Sequence, residues 1–182
     1  MAFVMSHEVR ISVSQSECST QESASCEARA LLRQTREHHL LSIETCLVEN
    51  LASGAPTLVR SNRFVSLSHD TQWLAVGTSA SPLGIDIQEA MEVSPRFLAK
   101  MRCSSAREAA WSWSVREAVA KLRRRGLADA PWKYELRLPP FHTGRFEEVH
   151  WAHFPLREDV SLAVATYQPT TVRIREEFDG KR

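Results

Sequence analysis

The chain has 182 residues, enough for one compact domain of ordinary size or for two half-size lobes around a shared core. Its 23 basic and 22 acidic residues leave a net charge of +1, which excludes a global field drawing it onto nucleic acid or a membrane, so any anion site must be local. Four cysteines without a Cys-x-x-Cys pairing read as reduced thiols, and no run of about 18 apolar residues or leader-like opening occurs, so the cytoplasm is the expected compartment.

Val9, Ile11 and Val13 alternate with Arg10, Ser12 and Ser14, the period of a half-buried strand. Residues 14 to 25, rich in Ser, Thr, Gln and Glu, read as a loop. Ser25 then caps a helix carrying Ala28, Leu31, Leu32 and Thr35 on one face to about His38. Ser53-Gly54-Ala55-Pro56 is a turn by its Gly and Pro content. Phe64 to Ser68 read as a strand with Val65 and Leu67 on one face, and Ser68-His69-Asp70 stands at its end, where a sheet positions the backbone for ligand contacts. Trp73 to Thr78 and Leu83 to Ile87 are two apolar runs split by Ser79-Ala80-Ser81-Pro82, the pattern of a hairpin. Asp86 lies between Ile85 and Ile87 and points opposite to both. Such a carboxylate either ends the strand and caps a turn, or faces a site with a cation partner, because burying it bare is costly. Pro95 opens a short helix through Met101.

Ser105 with Glu108 makes a capping box, and Gly126 follows a run of arginines suited to the negative end of a helix dipole, so one helix covers most of 106 to 125. Trp111, Val115, Ala118 and Leu122 form its narrow apolar stripe. Glu117 and Lys121 share the shoulder of that stripe. They are either an ordinary i,i+4 pair worth about 0.2 to 0.5 kcal/mol, or a carboxylate and an amine placed to hold a metal and a phosphate together. Arg116 is expected to pack or pair on the helix surface. Arg123-Arg124-Arg125 reads as a solvated helix end, a patch for acidic partners, or both. Farther on, Tyr134, Leu136 and Leu138 alternate, as do Val160, Leu162, Val164 and then Val172 and Ile174, which read as antiparallel strands. His150 and His153 fall on opposite strand faces, which argues against a zinc site, and residues 176 to 182 read as a disordered charged tail.

Trp113-Ser114-Val115-Arg116-Glu117-Ala118-Val119-Ala120-Lys121 resembles the signature of the 4'-phosphopantetheinyl transferases: an aromatic, a small hydroxyl residue, any residue, Lys or Arg, Glu, a small residue, two more, then Lys. Leu83-Gly84-Ile85-Asp86-Ile87 resembles that family's apolar-Gly-apolar-Asp strand, and Ser68-His69-Asp70 its Ser-His-Ser element. Ala28-Arg29-Ala30-Leu31-Leu32 is similar to its Arg-x-Leu-Leu helix. The three main motifs stand in the family's order over residues 64 to 121, and the best match is the larger, two-lobed type that activates surfactin synthetase.

The resemblance implies an α+β fold of two similar lobes with pseudo-twofold symmetry, each a small antiparallel sheet packed on a long helix. The lobes would be residues 1–84 and 85–182 of a monomer, with the active site between them. It implies transfer of the 4'-phosphopantetheine arm of coenzyme A to a serine of an apo acyl or peptidyl carrier protein, in fatty-acid, polyketide, peptide or siderophore synthesis, leaving adenosine 3',5'-bisphosphate. Mg2+ would be held by Asp86, Glu117 and Gln88, and coenzyme A by Arg29, His69 and Lys121. Glu117 and Lys121 would be catalytic, with Glu117 taking the serine proton directly or through a metal-bound water. Arg29 is as readily a solvated helix arginine. Three positions depart from the pattern. Ala55 stands where a basic residue is usual, with Arg60 and Arg63 as possible substitutes. Asp70 replaces a serine, where it would orient His69 or repel phosphate. Gln88 replaces a third acidic ligand and implies weaker metal binding. These departures also suit a homologue that binds coenzyme A or a carrier protein without catalysis. A nucleic-acid module built on Lys121 to Arg125 finds little support in a near-neutral chain.

Overall fold

Two four-stranded sheets stack through one core in this computed structural model, which describes residues 7–16, 20–51, 54–125, 128, 130–136 and 142–177. In the first sheet the order is Thr171–Glu177 (β10), Glu8–Gln15 (β1), Trp73–Ser79 (β5) and Phe64–Asp70 (β4). In the second it is Leu83–Glu89 (β6), Val160–Thr166 (β9), Val149–Pro155 (β8) and Thr143–Phe146 (β7). A hairpin of Val48–Asn50 (β2) and Pro56–Leu58 (β3) pairs with neither sheet, and its Leu58 packs with Val65 and Leu74 of the first. The helices are Gln21–Gln34 (α1), Pro95–Met101 (α2) and Ala106–Leu122 (α3). The fold is α+β, with mostly antiparallel pairing.

Strand alternation sets the layers. Val9, Ile11 and Val13 of β1 and Trp73 and Ala75 of β5 meet Leu83, Ile85 and Ile87 of β6 and Leu162 and Val164 of β9 between the sheets. Leu74, Val76 and Val65, on the opposite face of the first sheet, pack on Ala28, Leu31 and Leu32 of α1. Ala163 and Ala165, on the outer face of the second, pack on Val115, Ala118 and Val119 of α3. The layer order is therefore helix, sheet, sheet, helix. Full burial of side chains such as Ile11, Ile85 and Leu162 contributes roughly 1.5–3 kcal/mol each.

Several expectations change. Helix α1 begins earlier than Ser25, because Thr20 accepts a hydrogen bond from the Ser23 amide and caps it. The two apolar runs around Ser79 to Pro82 do not pair as a hairpin. β5 pairs with β1 and β4, whereas β6 pairs with β9, so the connection carries the chain from one sheet to the other. The tight turn lies instead between β4 and β5, at Thr71 and Gln72, with Thr71 at φ 42°. Strand β10 pairs in parallel with β1 rather than closing a second antiparallel sheet, Val172 opposite Val9 and Ile174 opposite Ile11. The expected lobe boundary at 84/85 falls inside β6, and the sheets on either side of it share one core. Tyr134 and Leu136 lie in no strand. Tyr134 follows a 3-10 turn at Pro131–Lys133 and buries its ring beside Phe146. Helix α3 is covered on more sides than a narrow stripe implies, with Ala109, Ser112 and Ala120 also buried. Arg116 is buried rather than on the surface, donating to the Ser112 and Tyr134 carbonyls. Cys26, Cys46 and Cys103 are free thiols. Cys18, Ser53, Gly126, Leu138 and residues 178–182 lie outside the described residues. No helix among the described residues is long and apolar enough to cross a membrane.

Two buried histidines make stability pH-dependent. His39 sits between Ser12 Oγ at 3.0 Å and Thr78 Oγ1 at 2.9 Å, and burial pulls its pKa down to about 3. His153 lies 2.7 Å from Ser161 Oγ, and burial pulls its pKa down to about 4. Both stay neutral in the folded chain, whereas an unfolded histidine takes up a proton near pH 6.5. Below that value the unfolded state binds more protons, so this stability is complete above pH 6.5 and is lost as pH falls toward 4 and 3. Between pH 8 and pH 5.5 each histidine should cost the folded chain about 1.4 kcal/mol of stability, partly offset by the Glu117 carboxyl, whose raised pKa acts in the opposite sense. In urea denaturation at the two pH values, His39→Gln should therefore lose about 1.4 kcal/mol less than the native chain on going from pH 8 to pH 5.5. The same pH dependence in the variant and the native chain would refute the assignment.

Candidate functional site

The seam between the sheets is where β4 and β6, each an edge strand, lie side by side. An unpaired strand edge exposes backbone donors, and here β4 side chains take them in register. The Ile85 amide donates to Ser66 Oγ at 3.1 Å, the Ile87 amide to Ser68 Oγ at 3.1 Å, and the Glu89 amide to Asp70 Oδ2 at 2.7 Å. Asp70 therefore caps the β6 edge, and no hydrogen bond joins it to His69. With Ile85 and Ile87 in the core, Gly84, Asp86 and Gln88 face the other way, toward α3. The missing side chain at Gly84 is required, since a Cβ there would lie 2.0 Å from the Ala118 carbonyl oxygen and 2.5 Å from the Leu122 nitrogen. That close approach brings Asp86 against the last two turns of α3.

Asp86 is 1% exposed and fully bonded. Its Oδ1 accepts from Ser68 Oγ at 2.8 Å and Lys121 Nζ at 2.5 Å, and its Oδ2 from Gln88 Nε2 at 2.9 Å. Lys121 also donates to Ser68 Oγ at 3.0 Å. Lys121 is thus paired across the seam rather than with Glu117 one turn back, which sets aside the ordinary helix pair. Asp86 likewise does not end its strand as a turn cap. Burial raises its pKa, opposed by the Lys121 ammonium and by the Ser68 and Gln88 hydrogen bonds. Burial, and after it the Asp86 charge, raises the Glu117 pKa to about 7, with Lys121 opposing.

Gln88 Nε2 lies 2.9 Å from Asp86 Oδ2 and 3.3 Å from Glu117 Oε2, so its amide bridges two converging carboxylates. A divalent cation fits here on chemical grounds. The donors are all oxygen once the amide is turned, as hard cations require, and a cation would relieve the repulsion that raises Glu117. The set is nonetheless lean. Among the described residues no group of three His, Cys, Asp or Glu side chains gathers to hold a metal.

Beside these residues opens a cavity of about 580 Å³ whose lining includes Arg29, His69, Asp86, Glu117 and Lys121. Gln88 reaches it only through its carboxylate partners. Arg29 is not a freely solvated side chain, because it donates to the Ser25 hydroxyl at 2.5 Å and to Asn50 Oδ1 at 3.0 Å, which fixes it at the cavity wall. Burial, and after it Lys121, lowers the His69 pKa, so at neutral pH His69 offers a hydrogen bond rather than a charge.

Sequence reasoning missed Asn50, and it read Arg124 as part of a solvated helix end, a patch for acidic partners, or both. Arg60 and Arg63, the substitutes considered for the missing basic residue at 55, do not line the cavity. Arg63 lies instead near Arg10 and Glu8. Arg124 and Arg125 do line it. The end of α3 is a Schellman turn, in which the Arg124 amide bonds to the Lys121 carbonyl and the Arg125 amide to the Ala120 carbonyl. Arg124 takes the left-handed position at φ 57°, where glycine is favoured, and its guanidinium lies 5.8 Å from the centre of the Phe64 ring. No sequence signal marks an arginine that folds back over a strand 60 positions upstream.

No family model matches this chain, and no curated protein matches it.

Proposed function

We propose that this protein transfers the 4'-phosphopantetheine group of coenzyme A to a serine of an apo carrier protein. The observation that carries the reading is convergence. Arg29 from α1, His69 from β4, Asp86 from β6, and Glu117 and Lys121 from α3 line one cavity, although nothing in their local sequence requires them to meet. Cationic side chains and two neighbouring carboxylates on one cavity wall suit a polyphosphate bound beside a divalent cation. The implied pseudo-twofold arrangement belongs to the same proposal, and is supported by each four-stranded sheet carrying one long helix on its outer face, although β10 of the C-terminal half joins the first sheet.

In this reading Arg29, Arg124 and Lys121 bind phosphate oxygens by charge, and neutral His69 donates a hydrogen bond to another. Mg2+ at Asp86, Glu117 and Gln88 would supply neutralisation of charge on the pyrophosphate. The Glu117 carboxylate takes the proton of the carrier serine. The serine oxygen forms its bond to the pantetheine-side phosphorus, and the bond to adenosine 3',5'-bisphosphate breaks. The Glu117 carboxyl by itself has its pKa raised to about 7 by burial and the Asp86 charge, and beside a bound cation that value would fall, keeping the carboxylate ionised to accept the proton. The binding-only alternative has one observation in its favour: the Gln88 amide and the Lys121 ammonium already satisfy Asp86 without a metal.

The deciding experiment mixes the protein with coenzyme A, Mg2+ and a panel of apo carrier proteins and weighs each carrier intact. A metal-dependent gain of one phosphopantetheine group supports transfer, and the carrier preferred names the pathway class. Coenzyme A binding without any gain would replace transfer by the binding-only reading. Arg124 supplies a separate check with opposed signs. Arg124→Gly should stabilise the fold by about 0.5–1 kcal/mol by relieving the left-handed backbone, and should weaken coenzyme A binding several-fold. Unchanged binding by calorimetry would remove Arg124 from the cleft's ligand set.

A further inference from the structure

A second cavity, of about 610 Å³, shares no lining residue with the cleft. Its walls come from the end of α2, the first half of α3 and the segment after the 3-10 turn, and they carry Lys100, Arg102, Arg116 and Lys133. Among the described residues none of these four forms an ion pair. Two carboxylates are present, but Glu108 is occupied by the Ser104 amide and hydroxyl, both at 2.7 Å, and Glu135 is exposed and faces no paired cation.

Arg116 is the singular member. It is 6% exposed, its Nη1 and Nη2 donate only to neutral acceptors on Ser112 and Tyr134, and its buried Nε–H has no acceptor. A guanidinium withdrawn from water normally has a carboxylate beside it, because removing a charge from solvent without compensation costs several kcal/mol. Here, among the described residues, no carboxylate bonds to Arg116: the Arg102 charge acts on it, the Cys103 thiol beside it has its pKa pushed up by burial, and Lys100 is steadied 5.0 Å from the centre of the Trp132 ring. Four cations against two carboxylates leave the cavity wall with an excess of positive charge that a bound anion would offset.

We infer that this cavity is a binding site for a tetrahedral oxyanion, a phosphate or sulfate group either free or at the end of a small metabolite. Arg116 supplies the buried charge, and Arg102 and Lys133 close over the anion from the exposed side. Bidentate guanidinium contacts favour such oxyanions over halide. The site is independent of the proposed transfer reaction, since it stands on residues outside the cleft.

The test is a titration of the 15N-labelled full chain with inorganic phosphate, sulfate and glycerol 3-phosphate at ionic strength held constant with sodium chloride. The signals followed are the Arg116 Nε–H and the Trp132 indole N–H. Saturable shifts at both are expected, and Arg102→Glu combined with Lys133→Glu, two exposed positions, should weaken the apparent affinity at least tenfold. Tighter binding of the ester than of phosphate would assign the anion to a metabolite, and the reverse order to a free ion. No saturable shift with any of the three, or equal affinity in the double variant, overturns the inference. Residue-resolved signals separate this site from phosphate entering the cleft at His69.

Discussion

Gly84→Ala should unfold or severely weaken this protein. The added Cβ would meet the Ala118 carbonyl oxygen at 2.0 Å and the Leu122 nitrogen at 2.5 Å, both backbone atoms of α3 that no rotamer change can move. Strand and helix would have to separate, and overpacking of this kind costs about 3 kcal/mol or more against a total stability of roughly 5–15 kcal/mol. The same separation would draw Asp86 away from Lys121, so under the proposed function coenzyme A binding by the surviving folded fraction should fall as well. Urea denaturation gives the stability and calorimetry gives the binding. A loss below about 1 kcal/mol would mean that α3 does not lie this close to β6.

If the proposed transfer is the function, Glu117→Gln should lower it by about 10²–10⁴-fold, the range set by loss of a general base, without loss of fold. The wild-type carboxyl carries a pKa about 7 because it is buried near Asp86. Raised in this way, it contributes stability while protonated and loses that contribution as pH rises from its ordinary 4.5 through 7. Above pH 7 the neutral amide avoids that repulsion, so the melting temperature of the variant at pH 8 should equal or exceed that of the native chain. The variant should also lose the Mg2+-dependent rise in melting temperature that ligand linkage predicts for a native chain that binds the ion. Retained turnover at saturating Mg2+ would remove Glu117 from the chemistry. A lower melting temperature with lost turnover would make its role structural.

The two substitutions separate what the fold requires from what the reaction requires. Gly84 acts through distance between two backbones, and Glu117 acts through one carboxylate whose volume the amide preserves. If both behave as expected, the apolar-Gly-apolar-Asp pattern has two physical causes: a glycine that lets the strand touch the helix, and an aspartate that the contact delivers to Lys121.

Much of this was legible from local pattern. The alternation at Val9, Ile11 and Val13, Pro95 at the start of α2, the Ser105 cap and the register of Ile85, Asp86 and Ile87 follow from periods and capping that a few residues determine by themselves, and the structure keeps them. Of the residues named for the site from motifs, Arg29, His69, Asp86, Glu117 and Lys121 share a cavity, whereas Gln88 does not line it and bonds to Asp86 and Glu117. Their partners did not come from the sequence. Lys121 was adjacent to Glu117 by helical spacing, yet its ammonium bonds to Asp86, because the close approach at Gly84 puts that carboxylate nearer and more deeply buried. Asp70 had two roles open to it and took a third, since the outward amide of Glu89 needs an acceptor and the strand edge leaves none. Strand pairing was equally out of reach. β5 and β6 read as one hairpin and β10 as a closing antiparallel strand because alternation specifies which face is buried but not which strand lies alongside. Only the packing of the sheets against each other decided that β10 runs parallel to β1, that β6 lies beside β4, and that Arg124 turns back over Phe64. Those contacts join segments tens of residues apart, and their energy depends on the whole core being formed before any one of them can be made.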